Sequence, residues 1–270
     1  MPVRTPRAQA LRPFVSFVGL YRSDGPDRLE RKIPTGAGAS IEVNLAEDEI
    51  RIYRGSKLDR LTRYRGAVMG GAETLPFGID AAETRYCAII AFRASGLPPF
   101  VDLATDELTD QVIDLETVWG RDGSTLRDRL LCAVNDEARL DVLEAVLLAR
   151  LDRPETPDPA VRVAARSLDG GASVGQAADE LGLTTRALLR RYRAATGLSP
   201  KRDARVRRLH RLLRDVESPD RTDWADLAYR HGLTDQSHLV HEFTAIAGLT
   251  PTAYARHVIS MTHVLEPPVG

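Results

Sequence analysis

GLTTRALLRRYRAATGLSP (residues 182–200) and GLTDQSHLVHEFTAIAGLTP (residues 232–251) are one pattern written twice, about fifty residues apart. Each opens on Gly-Leu-Thr and closes on Gly-Leu-Ser/Thr-Pro. Each carries an aromatic residue five positions before its last glycine, Tyr192 before Gly197 and Phe243 before Gly248. Leu188 and Tyr192 stand four apart, as do Leu239 and Phe243, so each pair shares one helix face and points to a core. The opposite face differs. In the first copy it holds Arg186, Leu189, Arg190 and Arg193; in the second, Gln236, Ser237, Val240 and His241. Counted back from the aromatic, Arg186 matches Ser237, Leu189 matches Val240 and Arg190 matches His241, with one extra residue in the second turn.

The flanking sequence punctuates helices. Asp158-Pro159 opens one that stops at Gly170-Gly171. Ser173 and Gln176 form a capping box for a helix ending near Gly182. Thr184 caps the next, through Ala195 to Gly197. Ser199-Pro200 opens a long helix to about Asp215, Asp223 caps another, Thr234 or Asp235 starts one ending at Gly248, and Thr250-Pro251 opens the last. Each repeat is therefore a short helix, a glycine turn and a second helix, the arrangement in which the second helix can enter the major groove of DNA.

Charge supports that reading. The chain has 270 residues and a formal net charge of −1, but residues 1–157 carry 21 basic and 25 acidic side chains, against 16 and 12 in residues 158–260. From Arg186 to Arg214 there are eleven basic residues and a single acid, Asp203. Such a block is a footprint for a polyanion. Scarcity of lysine, with only Lys32, Lys57 and Lys201 present, explains arginine over lysine but not the loss of acids.

The length suits two domains. LDRPETPDPA (residues 151–160) places three prolines within six positions and marks a boundary. We expect a sensing or interaction domain over 1–151, a linker at 152–159, a DNA-binding domain over 160–260 and a tail at 261–270. Before the boundary, β-like runs occupy 40–45, 49–53 and 84–92, and a helical pattern runs from 124 to 151 with Leu130, Val134, Leu140, Leu143 and Leu147 at helical spacing. No apolar run reaches the ~20 residues of a membrane helix, and no secretory signal is visible. Two free cysteines without metal spacing, Cys87 and Cys132, fit a reducing cytoplasm.

Residues 158–258 resemble the C-terminal DNA-binding domain of AraC/XylS-family transcription regulators. SVGQAADELGLT, RRYRAATGLSP and, above all, GLTDQSHLVHEFTAIAGLTPTAY carry the resemblance. The departure from the family pattern is His241, where arginine is usual. LRPFVSFVGLYRS, IPTGAGASIEVNL and AFRASGLPPFVDLATDELTDQVIDLETVWG resemble, less specifically, the N-terminal domain of one AraC-type subgroup, with Ala94-Ser95-Gly96 replacing its usual glycine-rich turn. The resemblance implies an α+β protein: a small cupin-like β domain with helices, then an all-α domain with two helix-turn-helix motifs. The partner it implies is double-stranded DNA, with RNA polymerase and a small-molecule effector as further candidates.

Thr185, Arg186, Leu189, Arg190, Gln236, Ser237, Val240 and His241 are expected to face bases. Arginine can read guanine O6/N7 and glutamine adenine N6/N7. Thr184, Arg193, Lys201, Arg207, Arg208, Arg211 and His238 are expected at phosphates. Leu189 and Val240 equally suit partial burial, and Arg207, Arg208, Arg211 and Arg214 equally suit a solvated helix. Trp224 and Tyr254 read as packing anchors. The 124–151 helices suit either a homodimer surface or a cover for the β domain.

No cofactor or metal and no catalytic group is expected. All six histidines lie at 210 or beyond, so the first domain cannot build a histidine metal site. Cys87 reads as core. Glu42, Glu47, Asp48 and Glu49 read as solvated surface. The competing readings are a cupin-like metabolite-binding or enzymatic protein with an accessory nucleic-acid domain, and a sequence-indifferent DNA binder.

Overall fold

The computed structural model describes residues 2–23, 28–151, 156–216 and 222–258. Among these residues, ten strands precede ten α-helices. The strands are β1 (Val3–Arg4), β2 (Val15–Arg22), β3 (Leu29–Lys32), β4 (Ser40–Asn44), β5 (Ile50–Arg54), β6 (Arg60–Tyr64), β7 (Ala67–Gly70), β8 (Phe77–Asp80), β9 (Tyr86–Phe92) and β10 (Val112–Asp114). They form two antiparallel sheets, one of six strands in the order β1-β2-β9-β4-β7-β10 and one of four in the order β3-β8-β5-β6. This is the expected N-terminal β-rich part of an α+β chain.

Alternation along the strands decides which face meets what. Ile41 and Val43 of β4, Ala88 and Ile90 of β9, and Met69 of β7 point to one side of the larger sheet. There α1 (Leu115–Trp119), α2 (Arg121–Cys132) and α3 (Asp136–Arg150) cover them with Leu126, Leu130, Leu140, Leu143 and Leu147. The helical pattern expected over 124–151 is thus broken in two. Asn135 caps α3 by accepting from the Ala138 backbone N–H, and Val134, expected on a helix turn, sits between helices at 88% exposure. The inner faces of these helices are consumed by the β domain.

The other face of the larger sheet meets the smaller one through Val68, Ile50 and Ile52. Cys87 lies on this side, packed with Phe17 and Ile89, and burial pushes its thiol up to about 12. One expectation fails here. Glu42 is not solvated surface on an open edge: β4 lies mid-sheet between β9 and β7, and odd–even alternation turns Glu42 away from the helices toward the second sheet. Burial raises its pKa, opposed by a hydrogen bond from Ser40 and by Lys32. Nearby, Glu73 accepts hydrogen bonds from the Thr35 backbone N–H and hydroxyl at 3.3 and 3.2 Å. Burial, and then the proximity of Glu42, push its pKa up to about 8.

The remaining helices are α4 (Pro159–Asp169), α5 (Val174–Glu180), α6 (Thr185–Thr196), α7 (Pro200–Arg214), α8 (Trp224–Arg230), α9 (Gln236–Ala247) and α10 (Pro251–Val258). They form two small cores. Leu188 and Tyr192 join Val161, Ala164, Ala177 and Ala178 in one; Leu239 and Phe243 join Val206, Leu209, Leu212 and Leu227 in the other. Trp224 and Tyr254 pack against the second. The expected tail at 261–270 and residues 152–155 of the expected linker lie outside the described residues.

A test of the buried carboxyl follows from linkage. Glu73 holds its proton in the folded state up to about pH 8, whereas an unfolded glutamate releases it near ~4.3. The folded state then binds more protons, so stability falls as pH rises through that window. Glu73→Gln keeps the acceptor for Thr35 and removes the titration. Its melting temperature should exceed that of the unmodified protein by a few degrees at pH 8, with the gap closing toward pH 4.5; a gap that is constant with pH contradicts the assignment.

Candidate nucleic-acid interface

The two repeats superimpose in their chemistry. In the first, Leu183 N–H donates to Ala178 O at 2.9 Å; in the second, Leu233 N–H donates to Ala228 O at the same distance. Gly182 and Gly232, at φ +63° and +70°, make the left-handed step that a side chain disfavours. The Thr184 hydroxyl accepts from Ala187 N–H and caps α6, and the Asp235 carboxylate accepts from His238 N–H and caps α9. Ser173 and Gln176 make both bonds of the capping box. Both second helices end in left-handed glycines, Gly197 and Gly248.

Facing outward on α6 are Thr185, Arg186, Leu189 and Arg190, all exposed, with Leu189 at 40%. On α9, Gln236, Ser237, His238 and His241 are exposed and Val240 is half-buried. The side chains of Arg186 and Arg190 have no hydrogen-bond or ion-pair partner in the described residues. The same is true of Lys201 and Arg214.

The other seven basic residues of the Arg186–Arg214 block are engaged. Arg191 grips the Asp158 carboxylate with two bonds at 2.7 and 2.8 Å, and Arg193 meets Asp106 at 2.9 Å. Arg202 reaches Thr74 and Asp110 at 2.5 and 3.3 Å. Arg205 and Arg208 converge on buried Glu242 of α9 at 3.1 and 2.5 Å, and Arg207 and Arg211 bind Asp169 at 2.7 and 2.6 Å. His238 shares Thr234 and lies 3.6 Å from Glu242. Among the described residues the free cationic surface of this block is therefore narrower than the sequence suggests, and divides between α6 (Arg186 and Arg190) and the two ends of α7 (Lys201 and Arg214).

Several of these partners escaped sequence reading. Glu242 and Asp169 look like ordinary solvated acids on helix surfaces, and nothing in the local sequence links Asp106 and Asp110 to the helical domain. Asp203 carried a visible signal, as the lone acid in a basic block. It is 1% exposed.

The domains touch at the ends of the second helices. The Thr105 hydroxyl donates to Ala194 O at 2.8 Å, and the Thr109 hydroxyl donates to Gly197 O at 2.9 Å, supplying partners for carbonyls that a helix C-terminus leaves open. Ala37 and Ala72 pack on Leu198. His210 Nε2 lies 2.8 Å from Pro34 O; burial first, and then Arg214, lower its pKa, so it is held neutral and donates.

Residues 177–257 match a protein family described as a helix-turn-helix domain. That segment is an AraC-type helix-turn-helix domain. AraC-type domains of this kind belong to DNA-binding transcription regulators, and that coarse function is assigned to the chain. No curated protein matches the sequence. Among solved structures, the chain is similar to ToxT from Vibrio cholerae O395, with 10% identity over 92% of this chain and 98% of ToxT and a TM-score of 0.45. It is similar at 9% identity, over 88% and 97% and with a TM-score of 0.45, to ToxT bound to (E)-4-(8-methylnaphthalen-1-yl)but-3-enoic acid. It is also similar to unsaturated fatty acid-bound ToxT from strain SCE256, at 11% identity over 92% and 96% with a TM-score of 0.44. Among the described residues, no group of three or more His, Cys, Asp or Glu is placed to hold a metal ion, and no helix is long and apolar enough to cross a membrane.

The glycines of the AraC-type domain give a paired test. A Cβ on Gly197 would meet Thr105 O at 2.6 Å and Thr109 Oγ1 at 2.8 Å, whereas one on Gly182 would meet nothing within 4 Å. Gly182→Ala should cost only the left-handed backbone term, about 1 kcal/mol. Gly197→Ala should cost more, about 2–4 kcal/mol, as the interdomain contact yields. Urea unfolding of the two variants should rank them in that order, and equal costs would deny the contact.

Proposed function

We propose that the protein is a sequence-specific DNA-binding transcription regulator in which α6 and α9 each read one major-groove segment. The observation that carries this reading is the unpartnered outer edge of α6, where Arg186 and Arg190 stand exposed one turn apart beside Thr185 and Leu189. Their guanidinium forks suit guanine O6 and N7. On α9 the corresponding edge offers Gln236, Ser237, Val240 and His241, a set without arginine that is suited to adenine and to weaker contacts.

Spacing supports two segments. α7 has 15 residues, about 22 Å at ~1.5 Å per residue, and the flanking helix widths bring the reading edges near the ~34 Å of one DNA turn. One subunit then covers two segments about 10 base pairs apart without a palindrome. Phosphates fall to Lys201, to Thr184 and to the N-terminal backbone of α6 and α9. Arg193, Arg207, Arg208, Arg211 and His238 reach phosphate by exchanging a present partner for it. The N-terminal domain is the controlling part, docked on the helical domain away from the reading edges, and a small-molecule effector would act through it.

Arg186→Ala and Arg190→Ala should each cost about 1–3 kcal/mol at the preferred site and relax preference at one base pair. Footprint titration on DNA selected from random sequence by the full chain checks this. Unchanged affinity and selectivity in both variants would move the reading edge elsewhere. Weakening that is uniform across all sequences would favour a phosphate role for these arginines.

A further inference from the structure

Asp203 opens the first turn of α7 and is almost wholly buried. Its two carboxylate oxygens serve different domains. Oδ1 accepts from the Ala37 backbone N–H of the N-terminal domain at 3.0 Å. Oδ2 accepts from the Tyr192 hydroxyl at 2.5 Å, and Arg207 Nε stands 3.1 Å from the same oxygen. Tyr192 is fully buried and is the residue that seats α6 in its core. The second repeat has no counterpart: Phe243 lacks a hydroxyl and packs edge-on against Tyr254.

The loop that reaches Asp203 is itself held from behind. Gly36 pairs with Glu73 through both backbone bonds, Gly36 N–H to Glu73 O at 3.0 Å and Glu73 N–H to Gly36 O at 2.9 Å, and Thr35 donates to the Glu73 carboxyl. Gly36 adopts φ +78°, and a Cβ there would stand 3.0 Å from Asp203 Oδ1 and 3.3 Å from Val206 Cγ1. An alanine there would strain the left-handed backbone and press on the carboxylate and on Val206 by a few tenths of an ångström.

We propose that Asp203 is a positioning residue for DNA reading, transmitting the placement of the 34–37 loop of the N-terminal domain to α6 through the Tyr192 hydroxyl. This rests on the reading of α6 as the helix that contacts the first DNA segment. A buried carboxylate must keep its donors, because losing one leaves a lone pair with neither water nor partner. A shift of the loop therefore displaces Asp203 or leaves Oδ1 unpaired, and either change reaches Tyr192 within one hydrogen bond. The reading edge of α6 is exposed while the contact is made, so the docked arrangement is the one that binds, and releasing it weakens the first segment only.

The test uses the full chain, with footprint titration of both segments of a DNA fragment selected from random sequence. Tyr192→Phe removes the hydroxyl and keeps the ring; Gly36→Ala pushes the loop off the carboxylate from the other domain; Arg190→Ala is the control for the reading edge. Each of the first two should weaken the first segment by roughly 3- to 30-fold and leave the second within about twofold. The double variant should be no weaker than the worse single one, since both break one chain of bonds. The proposal is overturned if Gly36→Ala leaves the ratio of the segments unchanged while Arg190→Ala weakens the first. It is equally overturned if both segments weaken together, which marks a merely structural role, or if the first segment tightens. If Arg190→Ala itself changes nothing, the reading of α6 fails and the proposal fails with it. Gly36→Ala leaves Tyr192 and its core unchanged and meets the helical domain only at Asp203 and Val206, so its result stands even where Tyr192→Phe folds poorly.

Discussion

One buried carboxylate, that of Asp203, holds three things at once: a loop of the β domain, the tyrosine that seats α6, and an arginine of its own helix. A charge this deep is tolerated because each oxygen has a donor. The arrangement of the helical domain depends on it, since α6 and α7 meet at an angle that must bring Tyr192 Oη to the first turn of α7. Burial, and then the charge of Asp203, raise the pKa of the Tyr192 hydroxyl, so it stays a donor throughout the working range.

The linking helix extends this logic to both repeats. Asp203 and Arg207 tie α7 to the first unit, through Tyr192 and Asp169; Arg205 and Arg208 tie it to the second, through Glu242. Its apolar residues Val206, Leu209 and Leu212 belong to the second core. α7 is thus a spine with polar fastenings on two sides, which suits a part whose task is to keep two helices at a fixed distance. The β domain adds contacts at matching points, Thr105 and Thr109 at Gly197 and Arg31 with Pro76 beside Gly248.

Much of the helical domain was legible because its signals are local. Caps, glycine stops and four-residue apolar spacing need only a few neighbouring residues, and Thr184, Asp235, Gly197 and Gly248 do what their neighbourhood implies. What sequence could not supply was partnership at long range. Eleven basic residues looked like one surface, yet seven have acids folded against them, each pairing spanning more than thirty positions. Glu42 shows the same limit in the β domain. Its strand was recognised, but whether that strand lies at an edge or mid-sheet depends on pairing with β7 and β9, which no local pattern encodes. The break at Val134–Asn135 was missed for a different reason: leucines on either side keep helical phase across it, and only the Asn135 cap betrays the new start.

The central claim is that α7 sets two reading helices one turn of DNA apart. It is tested most directly by changing the DNA instead of the protein. Starting from a site selected by the full chain, about 5 base pairs inserted between its two segments rotate one groove to the far side of the duplex, and about 10 restore the face but not the distance. The account predicts that either insertion reduces binding to that of a single segment, with the 5-base-pair insertion at least as damaging. Undiminished binding to both inserted sites would contradict it, for then the two helices would not be held by a common spine.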